Sequence, residues 1–170
     1  MAAQLTDLPR ISTLGGLLKR IGNYDPKSFR GSFDVRLILQ KTIYLMQAFG
    51  LYIGYSYSWY LRGPYSVELT REAYELADQF EKTPFVKFVE RNAENRFLEF
   101  MRFLNDRKND HRWLELVASI HFLFAAWPSK TRREIYRELR GKIPRLSEAE
   151  FQHSLKYLTE YGLLRGRGNS

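Results

Sequence analysis

The segment that most constrains the fold is residues 33–49, which is apolar on nearly every side when drawn as a helix. It is interrupted by only six polar or charged residues, namely Asp34, Arg36, Gln40, Lys41, Thr42 and Gln47. A helix this apolar is normally covered by neighbours on several faces. Gly50 follows it, and glycine adopts the left-handed conformation that ends many helices. The segment therefore predicts a central buried helix; it is too short and too charged to span a bilayer.

An aromatic strand and a turn are predicted directly after this helix. Tyr55, Tyr57 and Trp59 alternate with smaller or more polar neighbours, which is the period of two expected of a strand. Gly63-Pro64 then predicts a tight turn. Ser66 is suited to cap a further helix over residues 66–80, with an acidic residue in its first turn.

The segments LQKTIYLMQAFG and WYLRGPYSVEL resemble the YwgA-like family of bacterial and archaeal proteins and, more loosely, the SocA-like antitoxin domain, also called Panacea. Both families have a leucine-rich helix with Lys followed by Leu/Ile-Tyr-Leu, and then a strand leading into Gly-Pro and another helix. LELVASIHFL and SEAEFQHSLKYLTEYGLL resemble later segments of the same family, so the resemblance covers most of residues 33–164. It implies a mostly helical module that binds other macromolecules, and it implies no catalytic residue.

Length and composition indicate one folded domain of 170 residues, because 44% hydrophobic and 15% aromatic residues are too many for a disordered chain. The sequence contains no cysteine, which excludes disulfides and thiolate zinc sites. The N-terminal residues do not have the pattern of a secretory signal, so a cytoplasmic location is expected. We expect three parts: an arm with a short helix (1–30), a helical core with the aromatic strand (31–127) and a winged-helix-like unit (128–170).

The other helices are predicted from apolar spacing. Amphipathic patterns predict helices over residues 13–21, 97–104 and 111–127. A further helix is predicted to begin at Pro84, with Phe85, Phe88 and Val89 on its apolar side. The polar run 92–95 is expected to interrupt the helix that begins at Pro84. His121 lies on an apolar face and is predicted to be a packed, hydrogen-bonded residue rather than a ligand.

The last forty residues have the pattern of a helix-turn-helix. A helix opens at Pro128-Ser129 and a turn covers residues 141–144. Ser147 and Glu150 match a capping box at the start of the final helix, which buries Phe151, Leu155 and Leu158. Gly162 ends that helix, and residues 163–165 are predicted to form a short strand. Helix, turn, helix and strand form the core of a winged helix, although five residues after Arg165 are too few for a complete wing.

Charge is concentrated at the two ends of the chain. The net charge is +8; residues 128–170 contain ten Lys and Arg against five Asp and Glu, whereas residues 51–127 contain ten against eleven. If the final helix enters a major groove, residues near its start meet base edges and the arginines meet phosphate. The predicted nucleic-acid-binding residues are Arg132, Arg133, Arg137, Arg140, Gln152, His153, Lys156, Arg165 and Arg167. The alternative is a structural helix-turn-helix with a basic solvated face.

The aromatic strand is the second candidate site. Its predicted partner-binding residues are Tyr55, Tyr57, Trp59 and Tyr65, because Tyr and Trp are frequent at the centres of protein interfaces. A strand packed on helices and a nucleobase-stacking surface are the two alternatives.

The sequence contains no motif of a catalytic, cofactor-binding or metal-binding site. Its three histidines are far apart, and no Gly-rich phosphate loop or nucleophile elbow is present. We therefore expect a non-catalytic macromolecule-binding module, antitoxin-like and without a cofactor, whose partner is a toxin or a nucleic-acid-processing protein. A DNA-binding transcriptional regulator is the alternative, and an enzyme is the third. No membrane association is expected.

Overall fold

The computed structural model describes residues 8–165, which form a mainly α-helical single domain with one small antiparallel sheet. The elements in chain order are α1 (Arg10–Ile21), α2 (Phe33–Ala48), β1 (Ser58–Tyr60), β2 (Gly63–Tyr65), α3 (Val67–Gln79), α4 (Arg91–Leu104), α5 (His111–Ala126), α6 (Arg132–Arg140) and α7 (Glu148–Glu160). Short 3-10 turns follow α3 and α4, at Phe80–Lys82 and Asn105–Arg107. None of the helices within residues 8–165 is long and apolar enough to cross a membrane.

Helix α2 is central, as its apolar character predicts. It packs against α5, α3 and β2, and Leu37 and Leu45 are 4% and 0% exposed. The Ser32 side chain accepts a hydrogen bond from the amide of Val35 and so caps the first turn. Gly50 has φ of +89°, which confirms its predicted role just beyond the end of the helix.

The predicted tight turn at Gly63-Pro64 lies two residues earlier, within a hairpin that the sequence did not predict. Strands β1 and β2 pair antiparallel, with Tyr60 opposite Gly63, so the turn consists of Leu61 and Arg62 and not of Gly63-Pro64. Gly63 has φ of +95°, and a Cβ atom there would lie 2.3 Å from Oγ of Ser119 on α5. Glycine is therefore required at this position by the backbone conformation and by the close approach of β2 to α5.

The predicted strand is also longer than the observed one. Residues 51–57 form no strand, because the side chain of Gln47 takes the hydrogen bonds that a neighbouring strand would supply. Its amide nitrogen donates to the carbonyl of Tyr55, and its oxygen accepts from the amides of Ile53 and Tyr55. Tyr55 is thereby held inward, and the alternation of aromatic residues does not form one exposed face.

The prediction of a helix beginning at Pro84 is wrong. Residues 84–88 form neither helix nor strand, and α4 begins only at Arg91, so that the polar run 92–95 lies inside the helix rather than interrupting it. The cause is packing against α1, where a Cβ atom on Gly16 would lie 2.2 Å from Cγ2 of Val86. Glu94 fixes the same segment, since its carboxylate accepts from the amide of Phe88 at 3.1 Å.

The C-terminal helices both pack on α5. Helix α6 starts later than predicted, because Thr131 and Glu134 form a reciprocal capping box there. Helix α7 has half of its predicted box: Oγ of Ser147 accepts from the amide of Glu150, while the Glu150 carboxylate accepts from Arg112 instead.

The predicted core residues of α7 are confirmed, because Phe151, Leu155 and Leu158 are all buried. The predicted strand over residues 163–165 is absent, and the chain from Gly162 to Arg165 is irregular. The described part of the unit is therefore a helix-turn-helix on α5 without a strand after it. Arg167 lies outside the described residues.

Candidate nucleic-acid interface

Helix α6 and the start of α7 enclose a groove of about 420 Å³ on the surface of the C-terminal unit. The residues that line it are Arg132, Arg133, Tyr136, Arg137, Arg140, Glu148, Phe151 and Gln152. Five of the predicted nucleic-acid-binding residues, the four arginines of α6 and Gln152, are thus brought together. Helical spacing accounts for Arg133, Arg137 and Arg140, which are four and three residues apart and so lie on one side of α6.

The four arginines of the groove have no counter-charge of their own. None of their side chains makes a salt bridge or a hydrogen bond with another residue of the described range 8–165, although Arg137 lies near the carboxylate of Glu134. By contrast, Arg20 and Arg62 are bound to Glu94 and Glu115. The Glu134 carboxylate accepts from its own capping amide, at Thr131, and this bond lowers the pKa of Glu134. The guanidinium groups of the groove are therefore available to an external anion.

The floor of the groove is aromatic, with side chains from both helices. The rings of Tyr136 and Phe151 are 5.2 Å apart, and the Tyr136 hydroxyl donates to the carbonyl of Leu146 at 3.4 Å. These contacts join α6 to α7 and set the spacing between the arginines and Gln152. Glu148 is the only carboxylate among the lining residues of the described chain.

The remaining predicted residues of this site lie apart from the groove. His153 and Lys156 are exposed on α7 but do not line it, and Lys156 Nζ is 4.0 Å from Oε1 of Glu160. Arg165 is exposed beyond the end of α7.

The predicted aromatic surface is divided by the structure. Tyr55 is 1% exposed and its hydroxyl donates to Glu72, so it does not belong to the exposed surface of the strand. The ring of Tyr57 packs edge-on against Tyr44, with 5.1 Å between centroids, and its hydroxyl is buried. Tyr65 lies on the other side of the hairpin, hydrogen-bonded to Thr70.

Trp59 belongs to a different group, which we call the Trp59 cluster and which consists of Trp59, Phe122, Trp127, Lys130 and Lys142. Trp59 stacks on Phe122 at 5.7 Å and lies 6.5 Å from Trp127. Lys142 Nζ is 5.3 Å from the ring of Trp59, and Lys130 Nζ is 5.9 Å from the ring of Trp127. The three rings are half-buried. The sequence analysis identified only Trp59 among these five residues. The other four come from α5 and from the segments before and after α6.

His121 is a packed residue, as predicted. Its Nδ1 is hydrogen-bonded to the Tyr44 hydroxyl at 2.7 Å, and burial lowers the pKa of His121 to about 4. Between residues 8 and 165, no group of three His, Cys, Asp or Glu side chains is arranged to hold a metal ion.

We compared the chain with known protein families, curated proteins and solved structures, and none matched. The sequence matches no family model, and no curated protein and no solved structure shows significant similarity to it.

Proposed function

We propose that this protein is a non-catalytic binding module whose α6–α7 groove contacts the phosphate backbone of duplex DNA. The observation that carries the proposal is the set of four arginines, none with a salt bridge to the described chain, along one groove. Release of counterions from DNA is the main source of affinity when such cations meet phosphate. Arginine also binds phosphate oxygens through two parallel hydrogen bonds.

The position of Gln152 supports duplex DNA as the ligand. It is exposed in the second turn of α7, beside the arginines of α6. In a helix-turn-helix, residues near the start of the second helix meet base edges while the first helix meets the backbone. Gln152 would then read bases, preferentially adenine. A cytoplasmic location belongs to this proposal and agrees with the absence of cysteine from the sequence.

Salt dependence of DNA binding tests the proposal. Fluorescence anisotropy with a generic duplex should give a log–log slope of about −0.9 per phosphate contact between about 50 and about 200 mM salt. Replacement of Arg132, Arg133 and Arg137 by Gln should flatten that slope by as much as three contacts.

A matched control separates a local contact from general charge. Gln at the exposed Arg71, Arg91 and Arg102 removes the same charge from α3 and α4 and should leave the slope nearly unchanged. Equal effects of the two triple variants, or no binding even at low salt, would remove the DNA proposal.

A protein partner is the second candidate function, and the Trp59 cluster is the observation that favours it. Tryptophan is enriched at the energetic centres of protein interfaces, and Trp59 and Trp127 are half-buried side by side at this surface. The resemblance to antitoxin domains favours a toxin or a nucleic-acid-processing protein as the partner. Trp59→Ala should abolish capture of such a partner, whereas Phe85→Ala, which alters a side chain that is 78% exposed outside the cluster, should not.

A further inference from the structure

A second concavity of about 520 Å³ lies between α2, the hairpin and α3. Most of its lining is apolar or aromatic, as provided by Phe29, Phe33, Leu37, Leu61, Tyr65 and Tyr74. Its volume falls within the range of sites that enclose small organic molecules. Neither the groove of α6 and α7 nor the Trp59 cluster contributes a residue to it. We call it the α2 pocket.

Lys41 is the chemically unusual residue of the α2 pocket. It lines the pocket, yet it is only 2% exposed, and its Nζ donates to the carbonyl of Pro64 at 2.6 Å. It forms no salt bridge with another residue of the described chain, so two of its three N–H donors have no hydrogen-bond acceptor there. A buried ammonium group without a counter-ion is unfavourable. Burial accordingly lowers the pKa of Lys41 to about 7.

The carboxylate that attracts Lys41 most strongly, that of Glu115, is already hydrogen-bonded to Arg62. Glu115 on α5 attracts Lys41, but its two oxygens accept from Nε and Nη2 of Arg62 at 2.8 and 2.7 Å. The positive charge of Arg62 opposes that of Lys41. The pair therefore leaves Lys41 without a dedicated partner.

The other polar groups of the α2 pocket determine the charge of its lining. The Gln40 side chain is used within the protein, since its amide donates to Ser66 and Thr70 and its oxygen accepts from the amide of Ser66. Arg36 donates to two backbone carbonyls through one nitrogen, and its positive charge and that of Arg62 both line the pocket. No carboxylate lines the pocket among the described residues, so its surface is apolar with a cationic base.

We propose that the α2 pocket binds a small organic carboxylate, with its apolar body against the aromatic lining and its carboxylate on Lys41. A carboxylate supplies the acceptors that the two remaining N–H groups need. It would also provide the missing counter-charge in a site of low dielectric, where such a pair is strongest. The volume suits one such molecule, and the charges of Arg36 and Arg62 in the lining disfavour organic cations.

Binding of a carboxylate has a protonic consequence. A negative charge beside Lys41 favours its charged form, so the pKa of the amine rises in the complex. At pH about 8 the free protein holds this amine largely neutral, and the complex therefore takes up a proton.

Isothermal titration calorimetry tests the proposal with three probes, phenylbutyrate, phenylbutanol and phenylbutylamine. The probes have a similar apolar part and differ in their terminal polar group. We expect phenylbutyrate to bind about tenfold or more tightly than the other two probes, because a hydrogen bond to a charged group contributes at least this much to affinity. At pH about 8 its heat should depend on the ionisation enthalpy of the buffer in the direction of proton uptake. Equal affinities, or no binding of phenylbutyrate in the millimolar range, would overturn the proposal.

Two variants locate the site. Lys41→Met keeps a linear side chain and should bind phenylbutyrate and phenylbutanol equally, without proton uptake. Phe33→Ala removes a ring that is 50% exposed at the rim and should weaken both ligands while preserving their order. Phe85→Ala, outside the pocket, should change neither. Circular dichroism identifies any variant that fails to fold, and unchanged phenylbutyrate binding by folded Lys41→Met and Phe33→Ala would refute this assignment.

Discussion

The ammonium nitrogen of Lys41 donates a hydrogen bond to the backbone carbonyl of Pro64, with 2.6 Å between the two atoms. The bond joins the middle of α2 to the short strand β2. Gly63, the neighbour of Pro64, allows β2 to approach Ser119 on α5, and Arg62 in the turn is bound to Glu115 on the same helix. The hairpin is therefore fixed to both central helices. The Lys of the segment LQKTIYLMQAFG and the Gly-Pro of the segment WYLRGPYSVEL meet at this junction.

Gly63→Ala should lower the free energy of unfolding by about 1–3 kcal/mol. The residue has φ of +95°, and the added Cβ would lie 2.3 Å from Oγ of Ser119. Gly31→Ala is the control, because a Cβ atom there meets nothing within 4 Å. Urea denaturation of both variants measures the difference. In the double variant with Ser119→Ala we expect partial recovery, since the strain of the positive φ remains after the clash is removed. Equal stability of the Gly63 and Gly31 variants would contradict the role given to Gly63.

Leu45→Ala should cost about 2–5 kcal/mol of unfolding free energy, because it leaves a cavity in the core between α2 and its neighbours. Leu45 is 0% exposed in the centre of the hydrophobic cluster. Leu98→Ala removes the same atoms from a side chain that is 46% exposed on α4, and it should cost about 0.5 kcal/mol or less. Chemical denaturation that finds the two losses alike would show that α2 is peripheral to stability.

His121 should make stability depend on pH between about 6.5 and about 4. Burial holds its pKa near 4 in the folded protein, against an ordinary value near 6.5. The unfolded chain therefore binds more protons in this interval, and the free energy of unfolding falls as the pH is lowered through it, by at most about 3 kcal/mol. His121→Gln should remove most of this slope, whereas His153→Gln, at an exposed position, should retain it. Denaturation midpoints at several pH values provide the measurement, and identical slopes for the two variants would contradict it.

Local periodicity accounts for what the sequence predicted correctly. The helical patterns identified α2, α5 and α7 with their buried faces, and the spacing of Arg133, Arg137 and Arg140 was enough to bring them to one side of α6. Ser66 caps α3 as predicted, because capping depends on residues within one turn.

Long-range contacts account for what it did not predict. The irregular segment after Thr83 follows from packing on Gly15 and Gly16, nearly seventy residues earlier in the chain. Tyr55 is drawn inward by Glu72, which also accepts hydrogen bonds from Arg10 on α1. Neither contact has a signature within a window of ten residues. The Trp59 cluster and the α2 pocket were missed for the same reason, since each is assembled from segments that are distant in the sequence.

Glu148→Gln should strengthen DNA binding, in the direction opposite to the arginine variants. Glu148 carries the one carboxylate that lines the basic groove within the described chain, where it repels phosphate and reduces the local positive potential. Removal of this charge should raise the affinity by about two- to fivefold at low salt, equivalent to about 0.5–1 kcal/mol.

The control for this last prediction is Glu160→Gln at the other end of α7, which alters net charge equally but lies beside Lys156 and outside the groove. It should change the affinity less, because its charge is screened from the groove by salt. Glu148 also lies in the first turn of α7, where a negative charge stabilises the helix, so a small loss of stability is expected alongside tighter binding. Anisotropy titrations at one salt concentration compare the three proteins. Weaker binding by Glu148→Gln than by Glu160→Gln would show that DNA does not occupy the groove.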